Sequence, residues 1–300
     1  MPYSVWNTAP TTAPVQRHGR YLAGSSAHPA KMLPAIAAHA IRRYSQPGDL
    51  VLDPMCGIGT TLVEAIHQGR DALGVEFERR WAHLARTNVR HILTTAGERY
   101  GAVIHGDARH LPDHVDEAHH GRIALAVTSP PYGNSVHGRA LTTGSGGVVK
   151  WNHRYGNDPR NLAHTTNDRL QTAFTQILRH THRLLRPGGT VVVTARPWRE
   201  RGELVDFPTT VATCGQAAGL TLVERCVALL AGIRDDHLVL RPSFFQLKNV
   251  SDARRRGVPL HLIVHEDVLI FRKPGLATHH QRSKCDVPAH GVRTRVCAHS

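Results

Sequence analysis

Apolar residues along this chain recur in two alternating patterns. Short runs that are apolar nearly throughout end at Asp53, at Glu76 (from Ala72), at His105 (from Ala102) and at Val127 (from Ile123). Their length and lack of alternation predict strands covered on both faces. Between and around them apolar positions fall at helical spacing. Leu33, Ile36, Ala37, Ala40 and Ile41 predict a helix over 29–44 that Pro47-Gly48 ends, and further helices are expected over Thr60 to Gln68, Arg79 to Leu93 and Leu170 to Leu185. The later segments predict a strand over Thr190 to Thr194, a helix over Thr209 to Ala218, a strand from Thr221 to Leu230, and a last strand, Val268 to Phe271, close behind Leu260 to His265 as in an antiparallel hairpin. Strands alternating with helices at this spacing predict an α/β fold with a mostly parallel sheet and helices on both faces.

Two segments break the rhythm. Gly133 to Asp168 is Gly-rich and carries Arg139, Lys150, Arg154 and Arg160 with Trp151 and Tyr155 among them; Ile233 to Pro259 carries Arg234, Arg241, Lys248 and the run Arg254-Arg255-Arg256. The expected organisation is an irregular segment over 1–27, one domain over 28–274 with basic insertions over 133–168 and 233–259, and a flexible basic tail over 275–300.

Composition narrows the function classes. The apolar fraction of 41% is that of a folded protein. No apolar run approaches the roughly 18 residues that span a bilayer, and Met1 to Pro14 lacks the pattern of a signal peptide, so a cytoplasmic protein without membrane contact is expected. Five cysteines at irregular spacing, with no Cys-x-x-Cys, exclude a disulfide scaffold and a ribbon-type zinc site, and no metal is expected. The net charge of +14 points to a polyanionic partner, with nucleic acid first.

The first strand ends in Asp53-Pro54-Met55-Cys56-Gly57-Ile58-Gly59-Thr60. Gly57 and Gly59 suit a dinucleotide fingerprint, but Leu62 stands at its third glycine position, and Asp53 would repel a pyrophosphate. A carboxylate there suits a cofactor ending in an ammonium group, as S-adenosylmethionine does. Glu76, ending the second strand, is placed to accept from ribose hydroxyls; Asp107, ending the third, from an adenine amine.

The strand over Ile123 to Val127 leads into Thr128-Ser129-Pro130-Pro131-Tyr132. An exocyclic amine on a base is a poor nucleophile because its lone pair is delocalised. A fixed backbone carbonyl and a side-chain oxygen accepting from its N–H groups would favour a pyramidal nitrogen, two prolines would hold that carbonyl still, and the Tyr132 ring would stack on a flipped base.

These two motifs resemble the cofactor and catalytic motifs of the amino-group DNA methyltransferases, cytosine-N4 and adenine-N6. His28 to Pro34 is similar to that family's helix-start motif over the cofactor methionine, and His265 to Lys273 to its final strand. The resemblance implies a Rossmann-like class I methyltransferase with a seven-stranded sheet whose last strand is antiparallel. It implies S-adenosylmethionine held by His28, Pro29, Asp53, Pro54, Met55, Cys56, Gly57, Gly59, Thr60, Glu76, Asp107 and Ala108. The base would be held by Ser129, Pro130, Pro131 and Tyr132. Serine at the head of the tetrapeptide is the cytosine-N4 form, and double-stranded DNA is the expected partner, with cognate restriction or defence proteins. Met55 departs from the family's usual Phe. The cofactor motif precedes the catalytic one, an order shared with RNA guanine-N2 enzymes, which keeps RNA as the alternative polymer and adenine N6 as the alternative amine. Sequence reading would fall to the two insertions, whose Arg139, Lys150, Trp151, Arg154, Arg241, Arg254, Arg255 and Arg256 would bind the nucleic acid, the lysines and arginines mainly at phosphates, with Arg154 or Asn152 reaching base edges. A reading of another class, a silent nucleic-acid-binding protein, is disfavoured by the intact acids and Ser-Pro-Pro-Tyr.

Overall fold

The computed structural model describes residues 1–131, 139–142, 148–151, 158, 160–162, 166–200, 203–241 and 244–275. Eight strands form its main sheet: β1 (Val5–Asn7), β2 (Leu50–Asp53), β3 (Asp71–Glu76), β4 (Gly101–His105), β5 (Ile123–Thr128), β6 (Leu185–Ala195), β7 (Thr221–Leu229) and β8 (His265–Arg272). They lie in the order β1-β7-β8-β6-β5-β2-β3-β4. β8 runs antiparallel to both of its neighbours, β7 and β6, and every other pair is parallel. The helices are α1 (Pro34–Tyr44), α2 (Thr60–His67), α3 (Arg79–Leu93), α4 (Asn167–Leu184), α5 (Phe207–Ala217) and α6 (Phe244–Arg255). The fold is Rossmann-like, with the sheet buried between two helical layers.

Strand parity separates those layers. Val51, Leu125, Val127, Val192, Val268 and Ile270 pack with the buried residues of α1, α2 and α3. Leu52, Ala126, Val191, Val193, Leu269 and Phe271 pack with those of α4 and α5. The chain runs from β2 out to β4 in one direction and from β5 to β6 in the other, so the crevice between the C-terminal ends of β2 and β5 is the switch point at which such sheets hold ligands.

Four expectations need correction. The sheet has eight strands rather than seven, because Val5–Asn7 pairs with Val227–Leu229 and buries Trp6 to 2% exposure. Segment 1–27, expected to be irregular, thus supplies an edge strand, and also a short helix, Ala13–Arg17. α1 begins at Pro34 rather than Pro29, its preceding Leu33 held extended as a residue before proline must be. Leu260 to Val264 is not a strand: β8 pairs with β7 and β6, and a separate hairpin, Ala231–Arg234 with His237–Leu240, follows β7. That hairpin and α6 form the second basic insertion. The hairpin turns on Asp235 and Asp236, both with positive φ, as a two-residue primed turn requires. The tail from 276 lies outside the described residues. No helix among the described residues is long and apolar enough to cross a membrane.

Candidate active site

The floor of the crevice is built at the ends of β2 and β3. Asp53 is 4% exposed; its Oδ1 accepts from the Met55 backbone N–H (3.1 Å) and its Oδ2 from the Thr61 hydroxyl (2.7 Å). Burial pushes its carboxyl up to about 6, against the pull of those hydrogen bonds. The loop that follows ends on Gly59, which precedes α2 in the left-handed region (φ 82°) with its Cβ direction facing Ala85. The Cys56 N–H donates to Val75 O (2.9 Å), sewing the loop onto β3. Gly74 permits this approach, since a Cβ there would stand 2.9 Å from Cys56 Sγ and 2.6 Å from Leu62. Glu76 closes the arrangement: its Oε2 accepts from the Gly57 N–H (2.9 Å) and its Oε1 from the Glu78 N–H (2.8 Å).

Asp107, after β4, caps a short turn and is gripped by the Arg109 guanidinium, with Nη2 at 2.5 Å. Burial raises its carboxyl, Arg109 lowers it, and Arg109 prevails. Phe77 lines the crevice between Glu76 and Asp107, with the Arg160 guanidinium 5.7 Å from its ring centre.

The roof is the extended segment 28–32. Buried His28 packs against Trp81 with ring centres 4.6 Å apart, and Arg17 donates to Met32 O (2.7 Å). Polar side chains tie the segment that leads into this roof, 20–25, to α2, α3 and the loop after β2. Asn88 on α3, fully buried, donates from Nδ2 to both Ser25 Oγ and Ile58 O (2.9 Å each), while its Oδ1 accepts from the Leu22 N–H (3.1 Å). Tyr21 donates to Glu64 Oε1 on α2 (2.8 Å), which also meets Arg20 at 3.3 Å.

Ser129-Pro130-Pro131 leave the end of β5 and open on the same cavity, whose volume is about 240 Å³. The structure brings His28, Pro29, Asp53, Pro54, Met55, Cys56, Gly57, Thr60, Glu76, Asp107 and Ala108 around that one space with Ser129, Pro130 and Pro131. Gly59 shapes the loop behind it. Tyr132, Asn152 and Arg154 lie outside the described residues. Arg139, Lys150 and Trp151 fall on a two-stranded ribbon, Arg139–Thr142 against Val148–Trp151. Arg241 donates to the carbonyls of Ala9 and Pro10 (2.9 Å each), and the exposed Arg254, Arg255 and Arg256 end α6, where Arg255 pairs with Asp252. None of Arg241, Arg254, Arg255 and Arg256 lines the cavity.

Residues that sequence reasoning missed also line it: Lys31, Phe77, Arg109, Asn161, Arg196 and Glu266 among them. Phe77 was signalled by its place after Glu76. Asn161, which donates to Glu78 Oε1 (2.6 Å), and Arg196 and Glu266 meet the site only through tertiary structure. The arrangement offers buried acceptors for a cation and for hydroxyls at the ends of β2 and β3, and the Ser129-Pro130-Pro131 turn at the end of β5. That geometry suits holding two ligands in contact.

Residues 2–87 match a family model described as DNA methylase. A tRNA (guanine(10)-N2)-dimethyltransferase of Methanothermobacter thermautotrophicus is 27% identical over 180 residues, covering 60% of this chain and 43% of that protein. The type II methyltransferase M.MthZI of the same organism is 31% identical over 81 residues, 27% of this chain and 21% of that one. This chain therefore spans less than half the length of these curated relatives. Among solved structures, a SAM-dependent methyltransferase of Methanosarcina mazei superimposes with a TM-score of 0.44 at 14% identity, over 79% of this chain and 97% of that one.

Proposed function

We propose, from the premise that this chain belongs to the amino-methyltransferase family, that it methylates the exocyclic amino group of a nucleic-acid base, with cytosine N4 in DNA as the target. Its cofactor is S-adenosylmethionine, and the residues present fit that group. Asp53 offers a buried carboxylate to the methionine ammonium, Glu76 an acid at the strand end for the ribose hydroxyls, and Phe77 an apolar face between Glu76 and Asp107 for the adenine. His28 and Pro29 would cover the methionine part. Bound there, the cofactor supplies an electrophilic methyl group on a sulfonium.

The chain's own residues do the rest. The Ser129 hydroxyl and the carbonyl held by Pro130-Pro131 accept from the two N–H groups of the amine, which turns the nitrogen lone pair into the cavity. Closing the roof excludes water. No side chain has to remove a proton before attack, so placement carries most of the rate. The observation that carries this reading is that Ser129-Pro130-Pro131 and the Asp53–Glu76 floor share one cavity.

DNA is favoured by the serine at the head of the motif, by the DNA methylase family match and by the type II relative. RNA is the second reading, favoured by the longer alignment to a tRNA guanine-N2 enzyme. Nucleoside mass spectrometry of DNA and RNA from a host expressing the protein tests both. N4-methylcytosine in DNA is expected; N2-methylguanine in RNA with unmodified DNA would overturn the DNA reading in favour of the second.

A further inference from the structure

Beyond Ser129 the cavity has a wall that cofactor binding does not use. β5 and β6 pair Thr128 with Val193, and β6 and β8 pair Ala195 with Asp267. Continuing those registers by one residue sets Ser129 beside Thr194, and Arg196 beside Glu266. Parity then places their side chains. Ser129 follows Leu125 and Val127, Arg196 follows Val192, and Glu266 precedes Val268 and Ile270, all of which face the α1–α3 layer. Ser129, Arg196 and Glu266 thus stand on one face of three adjacent strands, at the end of the sheet where the cavity opens, and all three line it. Strand spacing and rise put Arg196 about 8 Å from Ser129, one strand across and two residues further out.

Glu266 and Arg196 are both half-buried, and that register makes them cross-strand neighbours. Desolvation raises the Glu266 carboxyl against the pull of the Arg196 guanidinium and of Thr194. A carboxylate next to an arginine at the rim of a pocket can hold the guanidinium fork at one angle.

We propose that Arg196 reads the ring edge of the target base next to the amine, selecting hydrogen-bond acceptors there, and that Glu266 is the positioning residue that holds the guanidinium. This rests on the cytosine reading given above. Cytosine presents N3 and then O2 beside its amine, two acceptors for one fork. On the Watson–Crick side adenine presents N1 and then C2–H, a single acceptor. On that same side guanine presents N1–H beside its N2 amine, a donor that a guanidinium repels.

The test uses unmethylated plasmid DNA and a matched RNA transcript, with modified nucleosides measured by mass spectrometry and cofactor-site integrity by calorimetry with S-adenosylhomocysteine. In Arg196→Ala the rate of N4-methylcytosine formation should fall about tenfold to a hundredfold, the range expected for one bidentate base contact. Its ratio to N6-methyladenine should fall with it, while S-adenosylhomocysteine affinity stays within about twofold of wild type. Glu266→Ala should lose the same discrimination, and Glu266→Gln, which keeps an oxygen for Arg196, should recover most of it. Unchanged methylcytosine formation in Arg196→Ala would overturn the proposal, and so would lost S-adenosylhomocysteine binding, which would put Arg196 in the cofactor half. Wild-type protein that makes N2-methylguanine and no methylcytosine would overturn the cytosine reading instead, a result visible without any variant.

Discussion

The two halves of the cavity are built by opposite strategies. In the cofactor half, each functional carboxylate is fixed by groups close to it in the chain or on the adjoining strand: Asp53 by Met55 and Thr61, Glu76 by Glu78 and Gly57. In the substrate half, Ser129, Arg196 and Glu266 come from three strands far apart in sequence and meet only through sheet register. The first half is a local motif that folds into shape wherever a β–loop–α unit forms. The second exists only when β8 inserts antiparallel between β6 and β7. Binding one constant cofactor calls for the first kind of construction.

Breaking the cofactor half should have the largest effect. Asp53→Ala removes a buried acceptor from the Met55 N–H and leaves the Thr61 hydroxyl only its long bond to Val127 O (3.4 Å). The loss of a charged acceptor, about 2–3 kcal/mol, corresponds to a cofactor affinity lower by about thirtyfold to over a hundredfold. Calorimetry with S-adenosylhomocysteine measures it, and near-native affinity would show that Asp53 does not face the ammonium.

Ser129→Ala should separate the halves. It removes one of two acceptors for the amine, so kcat should fall about tenfold or more, by analogy with removal of one stabilising group in a preorganised site. S-adenosylhomocysteine affinity should be unmoved. If both parameters fell together, the two halves would not be independent.

The contrast also explains what could be read from the chain. The strands β2 to β5 were legible because each is a nearly unbroken apolar run with its functional residue, Asp53, Glu76, Asp107 or Ser129, at its end or within two residues beyond it. Gly57 and Gly59 were legible because a tight loop requires them. Val5–Asn7 was not, since three residues are too short to show a period and its pairing with β7 spans most of the chain. Asn88 sits in α3 as an ordinary polar helix residue, and only the packed structure shows its amide bridging Ser25 and Ile58. Gly74, inside a strand, gave no sign that Cys56 leans on it. Arg196 and Glu266 carry no motif, because strand register is what joins them.

Asn88 sharpens the comparison from the stability side. Its side chain, with no exposure, satisfies groups in the segment leading into the roof and in the loop after β2. Asn88→Ala leaves the Leu22 N–H and Ile58 O without that partner and should destabilise the protein by about 1–3 kcal/mol. Thermal unfolding with and without S-adenosylhomocysteine checks it: a loosened roof predicts weaker stabilisation by the ligand. Stabilisation equal to wild type would mean that Asn88 supports the fold alone.

The smallest effect is expected from pH, and its sign is fixed by Asp53. Burial raises its folded-state carboxyl from 3.8 to about 6. Between those values the folded protein binds more protons than the unfolded chain, so the Asp53 contribution to stability is fully present below about 4 and is lost as pH rises through about 6. Ligand binding runs the other way. An ammonium needs the carboxylate, which is half formed at pH about 6, so S-adenosylhomocysteine affinity should drop about twofold on going from pH 8 to 6 and further below it. Asp53→Asn should bind weakly and without this pH dependence. It should also lack the wild-type loss of stability between pH 4 and 6, which separates Asp53 from other titrating groups. A wild-type affinity flat across this range would show that the Asp53 carboxylate does not meet the cofactor's charge, and the cofactor half would then rest on Glu76 and the loop backbone.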